Sequence, residues 1–180
     1  MKNNTFKTLF WILKNLRSFK NWKKRDFSPP SPEFIKHQIL KNNNLTNSLW
    51  IETGTYYGDT TKILSIMSQK IITIEADEFL YKKAKDKFSN VKNIECLNGK
   101  SEDLLLKAIE SNLNFKNICI YLDAHLCNDH LRNKSTFGKE DNATPIKLEL
   151  SIIEKFLNKF NKVNILIDDI RLFDKDFQNY

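Results

Sequence analysis

The chain has 180 residues, 41% of them hydrophobic and 28% charged, which suffices for one domain with a sizeable core and excludes a wholly disordered chain. No run approaches the roughly 18 apolar residues of a membrane-spanning helix, and four Gly with four Pro exclude a collagen-like or linker-dominated chain. Of 29 bases and 22 acids, residues 1–26 hold eight and one, so the net charge of +7 resides there and the remainder is neutral, which implies no globally basic nucleic-acid surface.

Residues 5–22 read as an amphipathic helix. Phe6, Leu9, Phe10, Leu13, Leu16 and Phe19 fall near a 3.6-residue period, with Lys and Arg elsewhere. Two readings stand: a helix lying on an anionic membrane surface, or one packed on its own domain or on a partner. The apolar run Leu9–Leu13 is shorter than the core of a secretory signal. Asp26–Pro32 contains three prolines and reads as a linker. Ser31-Pro32-Glu33 then marks a helix start, with Ser as N-cap and Pro at the first helical position, and that helix should run to about Asn42. The expected organisation is a basic helix over 1–26, a Pro-rich linker over 27–32 and a folded domain over 33–180.

From there short apolar runs alternate with helix-like segments. The runs are Leu49–Ile51, Ile71–Ile74, Asn93–Leu97, Ile118–Leu122 and Val163–Ile167. The helices between them are expected at Thr60–Gln69, Phe79–Phe88, Glu102–Asn112 and Pro145–Phe160. This alternation predicts an α/β fold: a Rossmann-like, doubly wound parallel sheet of about five strands with helices on both faces. Ligands bind such sheets at the carboxyl ends of the strands. Those ends read Glu52–Gly58, Glu75-Ala76-Asp77, Asn98–Glu102, Asp123-Ala124-His125 and Asp168-Asp169, all polar or small. Three of the four glycines lie at or near them, at places that suit special torsions or close ligand approach.

The loop Glu52–Gly58 follows a strand and precedes a helix, so its amides could cradle a ligand at a helix N-terminus. Its Gly54-x-x-x-Gly58 spacing is neither a GxGxxG fingerprint nor a P-loop, which disfavours a pyrophosphate cradle and with it an NAD-type oxidoreductase. Glu75 ends the next strand, where a carboxylate can accept from both hydroxyls of a ribose. Together these features point to an adenosine-type ligand without a diphosphate.

Trp50-Ile51-Glu52-Thr53-Gly54-Thr55-Tyr56-Tyr57-Gly58-Asp59-Thr60-Thr61 resembles the first motif of class I S-adenosylmethionine-dependent methyltransferases. Ile72-Thr73-Ile74-Glu75 resembles their second strand with its ribose-binding acid. Cys96-Leu97-Asn98-Gly99-Lys100-Ser101 resembles the motif whose following residues flank the adenine. The similarity runs from about residue 32 to 173. It implies S-adenosylmethionine as cofactor, held by Glu52, Thr53, Gly54, Thr55, Tyr56, Gly58, Glu75, Ala76, Gly99, Lys100, Ser101 and Asp123. That family's sheet has seven strands, the last antiparallel, and the sequence offers no counterpart of the sixth and seventh.

Asp123 and the pair Asp168-Asp169 end neighbouring strands of the expected sheet, so three carboxylates would converge. Like charges so placed need neutralising, and a hard divalent cation does this with oxygen ligands. The layout resembles the metal-dependent O-methyltransferases of the catechol and macrocin types, which implies Mg²⁺ with Asp123, Asp168 and Asp169 as its ligands. His125 would then take the acceptor's proton, which makes His125 and Asp123 the catalytic candidates. A zinc reading of His125, Cys127, Asp129 and His130 lacks the second Cys/His arm of a structural site. Residues 131–143 form a polar loop suited to a lid. Thr144-Pro145 starts the next helix, with Glu149 on its first turns and no role assigned by spacing.

The activity so implied is methyl transfer to a hydroxyl of a small molecule or sugar. The alternative is a truncated, non-catalytic remnant that keeps the nucleoside site. Nucleic acid is not expected as a partner, since the neutral domain offers no basic track. An oligomer, or the helix over 5–22, is a candidate for covering the open sheet edge. Three cysteines (Cys96, Cys119, Cys127) without a CxxC pair predict no disulfide framework, hence a cytoplasmic chain, membrane-peripheral if residues 5–22 meet lipid.

Overall fold

The computed structural model describes residues 2–28, 30–125, 128–129, 134–135 and 144–168, of which 2–11, 128–129 and 134–135 by backbone only. They fall into two compact units, Met1–Asn42 and Asn43–Tyr180. The first holds helices α1 (Lys2–Lys24) and α2 (Glu33–Asn42). Phe19, Trp22, Phe27 and Phe34 cluster in it, with Trp22 and Phe27 edge to face at 4.9 Å between centroids. Such aromatic pairs add to the area they bury. Helix α1 extends beyond the expected 5–22 at both ends.

The second unit alternates as the apolar runs require: β1 (Ser48–Thr53), α3 (Asp59–Met67), β2 (Lys70–Glu75), α4 (Glu78–Lys87), β3 (Ile94–Asn98), α5 (Ser101–Glu110) and β4 (Asn117–Leu122). After a short antiparallel pair, β5 (Asn128–Asp129) and β6 (Lys134–Ser135), come α6 (Ile146–Glu154), one 3₁₀ turn at Leu157–Lys159 and β7 (Lys162–Ile167). Helix α6 is shorter than the Pro145–Phe160 expected. Pro145 stands at its N-cap position, and the Thr144 hydroxyl lies 3.4 Å from the Ile146 amide.

The sheet order is β3-β2-β1-β4-β7, all parallel. This is the expected five-stranded Rossmann-like sheet. Its three central strands are buried on both faces and the outer β3 and β7 only partly. That is why the central runs read as unbroken Val/Ile/Leu-type stretches rather than alternating ones. On one face Leu49, Ile51, Ile72, Ile74, Ile118 and Ile120 pack with Leu105 and Ile109 of α5 and Ile146 and Ile153 of α6. Each fully buried aliphatic side chain there contributes about 1.5–3 kcal/mol of transfer free energy.

Register sets the site. Thr53 pairs with Ile74 and with Leu122, Leu122 with Ile167, and Glu75 with Asn98. The strands therefore end level, and the polar residues that follow them stand in one row along the sheet's carboxyl edge.

Candidate functional site

Glu52 is the last carboxylate inside β1 and is fully buried. Its Oε2 accepts from the hydroxyls of Thr61, 2.5 Å away on α3, and Thr73, 2.7 Å away on β2. The Thr55 hydroxyl lies 2.6 Å from that of Thr73. A buried charge needs such partners, so Glu52 fastens the loop that follows to two elements. It belongs to the frame of the site rather than to its open face.

The loop turns at Gly54, with φ +87°, whose amide donates to the Ile74 carbonyl at 2.9 Å. A Cβ there would lie 2.6 Å from the Asp123 carbonyl oxygen, so the β1 and β4 loops touch backbone to backbone at this point. Tyr56 also has a positive φ of 51°, uncommon for a bulky residue. Gly58 closes the turn, its amide donating to the Thr55 carbonyl at 2.8 Å, and stands at the N-cap of α3. A Cβ on Gly58 would strike the Phe88 ring at 2.6 Å.

Glu75 explains the strain at Tyr56. The Tyr56 amide donates to Glu75 Oε2 at 2.7 Å and the Asp77 amide to Oε1 at 2.9 Å. The Glu75 carbonyl accepts from the Gly99 amide and the Asn98 side chain, both at 2.9 Å. Three loops are thus tied through one residue. Burial pushes the Glu75 carboxyl above the usual range, although these amides pull it back down. A carboxylate has about four lone-pair directions; the Tyr56 and Asp77 amides take two and the Ala76 amide also bears on the group, so little more than one is left for a ligand. Ala76 is half-buried between Glu75 and Asp77, whose side chain caps α4 by accepting from the Leu80 amide at 3.0 Å.

At the third end, Lys100 is exposed at the N-cap position of α5, and Ser101 begins that helix in a buried position. On the same face of the sheet lie Thr53 and Glu149, the latter only 1% exposed. Neither Glu149 oxygen has a hydrogen-bond partner at bonding distance among the described residues. Burial pushes its carboxyl up, with the Ser101 and Thr53 hydroxyls pulling the other way. Sequence spacing gave no role to this acid.

At the fourth and fifth ends, the Asp123 amide donates to the Thr53 carbonyl at 3.0 Å, and the Asp168 amide to the Leu122 carbonyl at 2.9 Å. The Tyr121 hydroxyl donates to Asp168 Oδ2. Burial, then the charges of Asp123 and Asp168, push this phenol far above its usual range, so it stays a donor. Sequence reasoning missed Tyr121, because a tyrosine inside an apolar run reads as core. His125 Nδ1 lies 3.1 Å from the Asp123 carbonyl and 3.5 Å from its carboxylate, which orients the ring. Asp123 and Asp168 therefore converge around one hydroxyl. Their oxygens are the donor type a hard divalent cation takes, and in that respect the described pair fits Mg²⁺. Asp169, the third expected ligand, lies outside the described residues, as do the side chains of Cys127, Asp129 and His130 and the lid-like loop 131–143 apart from its backbone at 134–135. Among the described residues no group of three or more His, Cys, Asp or Glu side chains is placed to hold a metal.

The sequence matches no protein-family model and no curated protein. Solved structures do match. A candidate caffeoyl-CoA O-methyltransferase from Staphylococcus aureus is 13% identical, with 96% of this chain and 75% of that one covered and a TM-score of 0.52. An O-methyltransferase from Bacillus cereus in complex with SAH is 20% identical, covering 77% and 61%, with a TM-score of 0.43. An rRNA methylase from Streptococcus thermophilus is 17% identical, covering 79% and 75%, with a TM-score of 0.48. The fold is that of the class I S-adenosylmethionine-dependent methyltransferases, as the first motif, the Glu75 strand and the sheet order lead one to expect.

Proposed function

We propose that the chain is an S-adenosylmethionine-dependent methyltransferase that methylates a hydroxyl of a small molecule or sugar with help from Mg²⁺. The observation that carries this reading is the joining of the Gly54 loop to Glu75 at the level ends of the strands. That arrangement sets the Gly54 turn, whose backbone is bare of a side chain, beside a carboxylate suited to a ribose. Thr53, Gly54, Thr55, Tyr56 and Gly58 shape the cradle, with Glu52 holding it from below. Glu75 and Ala76 take the ribose side, and Gly99, Lys100 and Ser101 line the adenine side.

The sulfonium methyl is already a strong electrophile, so the protein's task is alignment and exclusion of water. Asp123 stands where the cradle meets the fourth strand end, next to the Gly54 turn. Asp123, Asp168 and Asp169 are the proposed cation ligands, and Tyr121 holds Asp168 in place. A Mg²⁺ ion bound there would lower the pKa of the acceptor hydroxyl and orient it. His125, its ring set by Asp123, would remove the acceptor's proton as the oxygen–methyl bond forms and the sulfonium leaves as a neutral thioether. A cytoplasmic setting remains part of the proposal. No described helix is long and apolar enough to cross a membrane.

The test is transfer of an isotope-labelled methyl from S-adenosylmethionine to a panel of hydroxyl-bearing small molecules and sugars. Transfer to at least one, lowered at least tenfold by His125→Ala, is the expected result. A folded chain that binds the cofactor yet labels no acceptor in any fraction of a metabolite extract would favour the non-catalytic alternative.

A further inference from the structure

We infer that helix α1 is a membrane-surface anchor, laying an apolar stripe into an anionic lipid surface while flanking bases meet the headgroups. This inference is independent of the methyltransferase reading.

Ile12, Leu16 and Phe19 stand at i, i+4 and i+7 and share one face of α1, with Leu13 at its side. They are exposed by 42%, 53%, 37% and 57% for Ile12, Leu16, Phe19 and Leu13 respectively. The covered face is a different one: Asn15, Ser18 and Trp22 are half-buried. Trp22 and one edge of Phe19 pack in the aromatic cluster with Phe27 and Phe34, whereas the aliphatic side chains Ile12, Leu13 and Leu16 stay in water. Two leucines more than half exposed on one helix, next to an isoleucine and a phenylalanine, make a contiguous surface of the sort that marks an interaction site.

Charge selects the occupant. Residues 1–25 contain eight Lys and Arg and not one acid. At 100° per residue, Arg17, Lys20 and Lys24 fall on Leu13's flank of the stripe. From there their long stems can lie along the apolar surface and their heads reach a headgroup plane. Basic residues flanking an apolar helical face are the signature of an interfacial helix. Each base near an anionic surface favours binding by roughly fivefold. A second copy of the chain would bring the same positive charges together along the same stripe, so self-association is opposed. A nucleic acid would use the bases but has no need of the leucines. Four apolar side chains are a short stripe, so the charges are needed for firm binding, and the anchor should discriminate between lipids.

The full chain is sedimented with phosphatidylcholine vesicles, with and without phosphatidylserine. Binding is expected only with phosphatidylserine and should fall as salt is raised. Leu13→Ser with Leu16→Ser should weaken it at least tenfold, as should Lys20→Glu with Lys24→Glu, while the melting temperature stays unchanged because all four side chains are exposed. No sedimentation with either vesicle would overturn the inference. So would undiminished binding by the leucine variant, which would indicate a purely electrostatic polyanion site such as RNA uses. A concentration-dependent dimer abolished by the leucine variant would assign the stripe to a second copy instead.

Discussion

Tyr56 gives its backbone amide to Oε2 of Glu75 at 2.7 Å, across 19 residues of sequence. The Asp77 amide takes the other oxygen at 2.9 Å. Glu75 is therefore a structural clasp between two loops as well as the acid proposed to meet a ribose. Glu75→Ala removes the acceptor of both amides and should destabilise the fold by about 1–3 kcal/mol. At about 2–4 °C per kcal/mol for a chain of this size, calorimetric melting will register it. Glu75→Gln keeps one acceptor and sets an NH₂ group against the other amide, so it should fall between wild type and alanine. An unchanged melting temperature in both variants would refute the clasp.

Gly54 should tolerate no side chain. Its φ is +87°, and an added Cβ meets backbone of Asp123, which cannot swing away. Gly54→Ala is expected to cost about 2–4 kcal/mol through torsional strain and displacement of the β4 loop. Chemical denaturation would show this as a lower midpoint. A midpoint equal to wild type would mean that the two loops do not touch as described.

Much of this was legible in the sequence. The five strand runs, the helices between them and the row of polar strand ends follow from unbroken apolar stretches bounded by Gly, Asp and Asn. The parallel sheet then follows from the alternation. What the sequence hid lies in contacts between distant residues. Glu75 reads as a ligand acid at the end of a strand, and nothing local says that Tyr56 and Asp77 already hold its oxygens. Tyr121 sits inside the run Ile118–Leu122 and reads as core, although its hydroxyl reaches Asp168 on the neighbouring strand. Spacing assigns no role to Glu149 on α6, and only the packing of α6 on the sheet shows it to be buried. Helix α6 ends six residues early because a single-sequence period cannot register the 3₁₀ turn at Leu157–Lys159.

Glu149 should make stability depend on pH. Burial raises its carboxyl above the unfolded value, so the folded state prefers the proton. The corresponding stability is fully present below the unfolded pKa of about 4.3 and is lost as pH rises through the raised folded value. Glu149→Gln, neutral throughout, should melt higher than wild type at pH 7–8, by about 1–3 kcal/mol. The gap should close on acidification toward the unfolded pKa. A gap that stays constant with pH would show that Glu149 is not the titrating group.

Tyr121→Phe removes the donor to Asp168 without changing the shape of the core. The half-buried Asp168 carboxylate loses a hydrogen bond, and a cost of about 1–2 kcal/mol is expected. If Tyr121 positions Asp168 as a cation ligand, Mn²⁺ bound to the variant should show weaker affinity by electron paramagnetic resonance. Equal stability and equal Mn²⁺ affinity would deny Tyr121 a positioning role.

Cys96 should be unreactive. Burial, with the nearby Glu52 charge, pushes its thiol up to about 11, so little thiolate exists at neutral pH. Iodoacetamide labelling of the native chain followed by peptide mapping should find Cys96 modified only after denaturation. Rapid native labelling would contradict the packing described around β3.

The central claim is that the Gly54 loop and Glu75 together hold S-adenosylmethionine. Its most direct test is calorimetric titration of the folded 180-residue chain with S-adenosylmethionine, with Glu75→Gln as the control. Micromolar binding weakened at least tenfold in the variant, a loss of about 1.4 kcal/mol, is the predicted result. No heat of binding from a chain that melts cooperatively, or equal affinity in the variant, would contradict it.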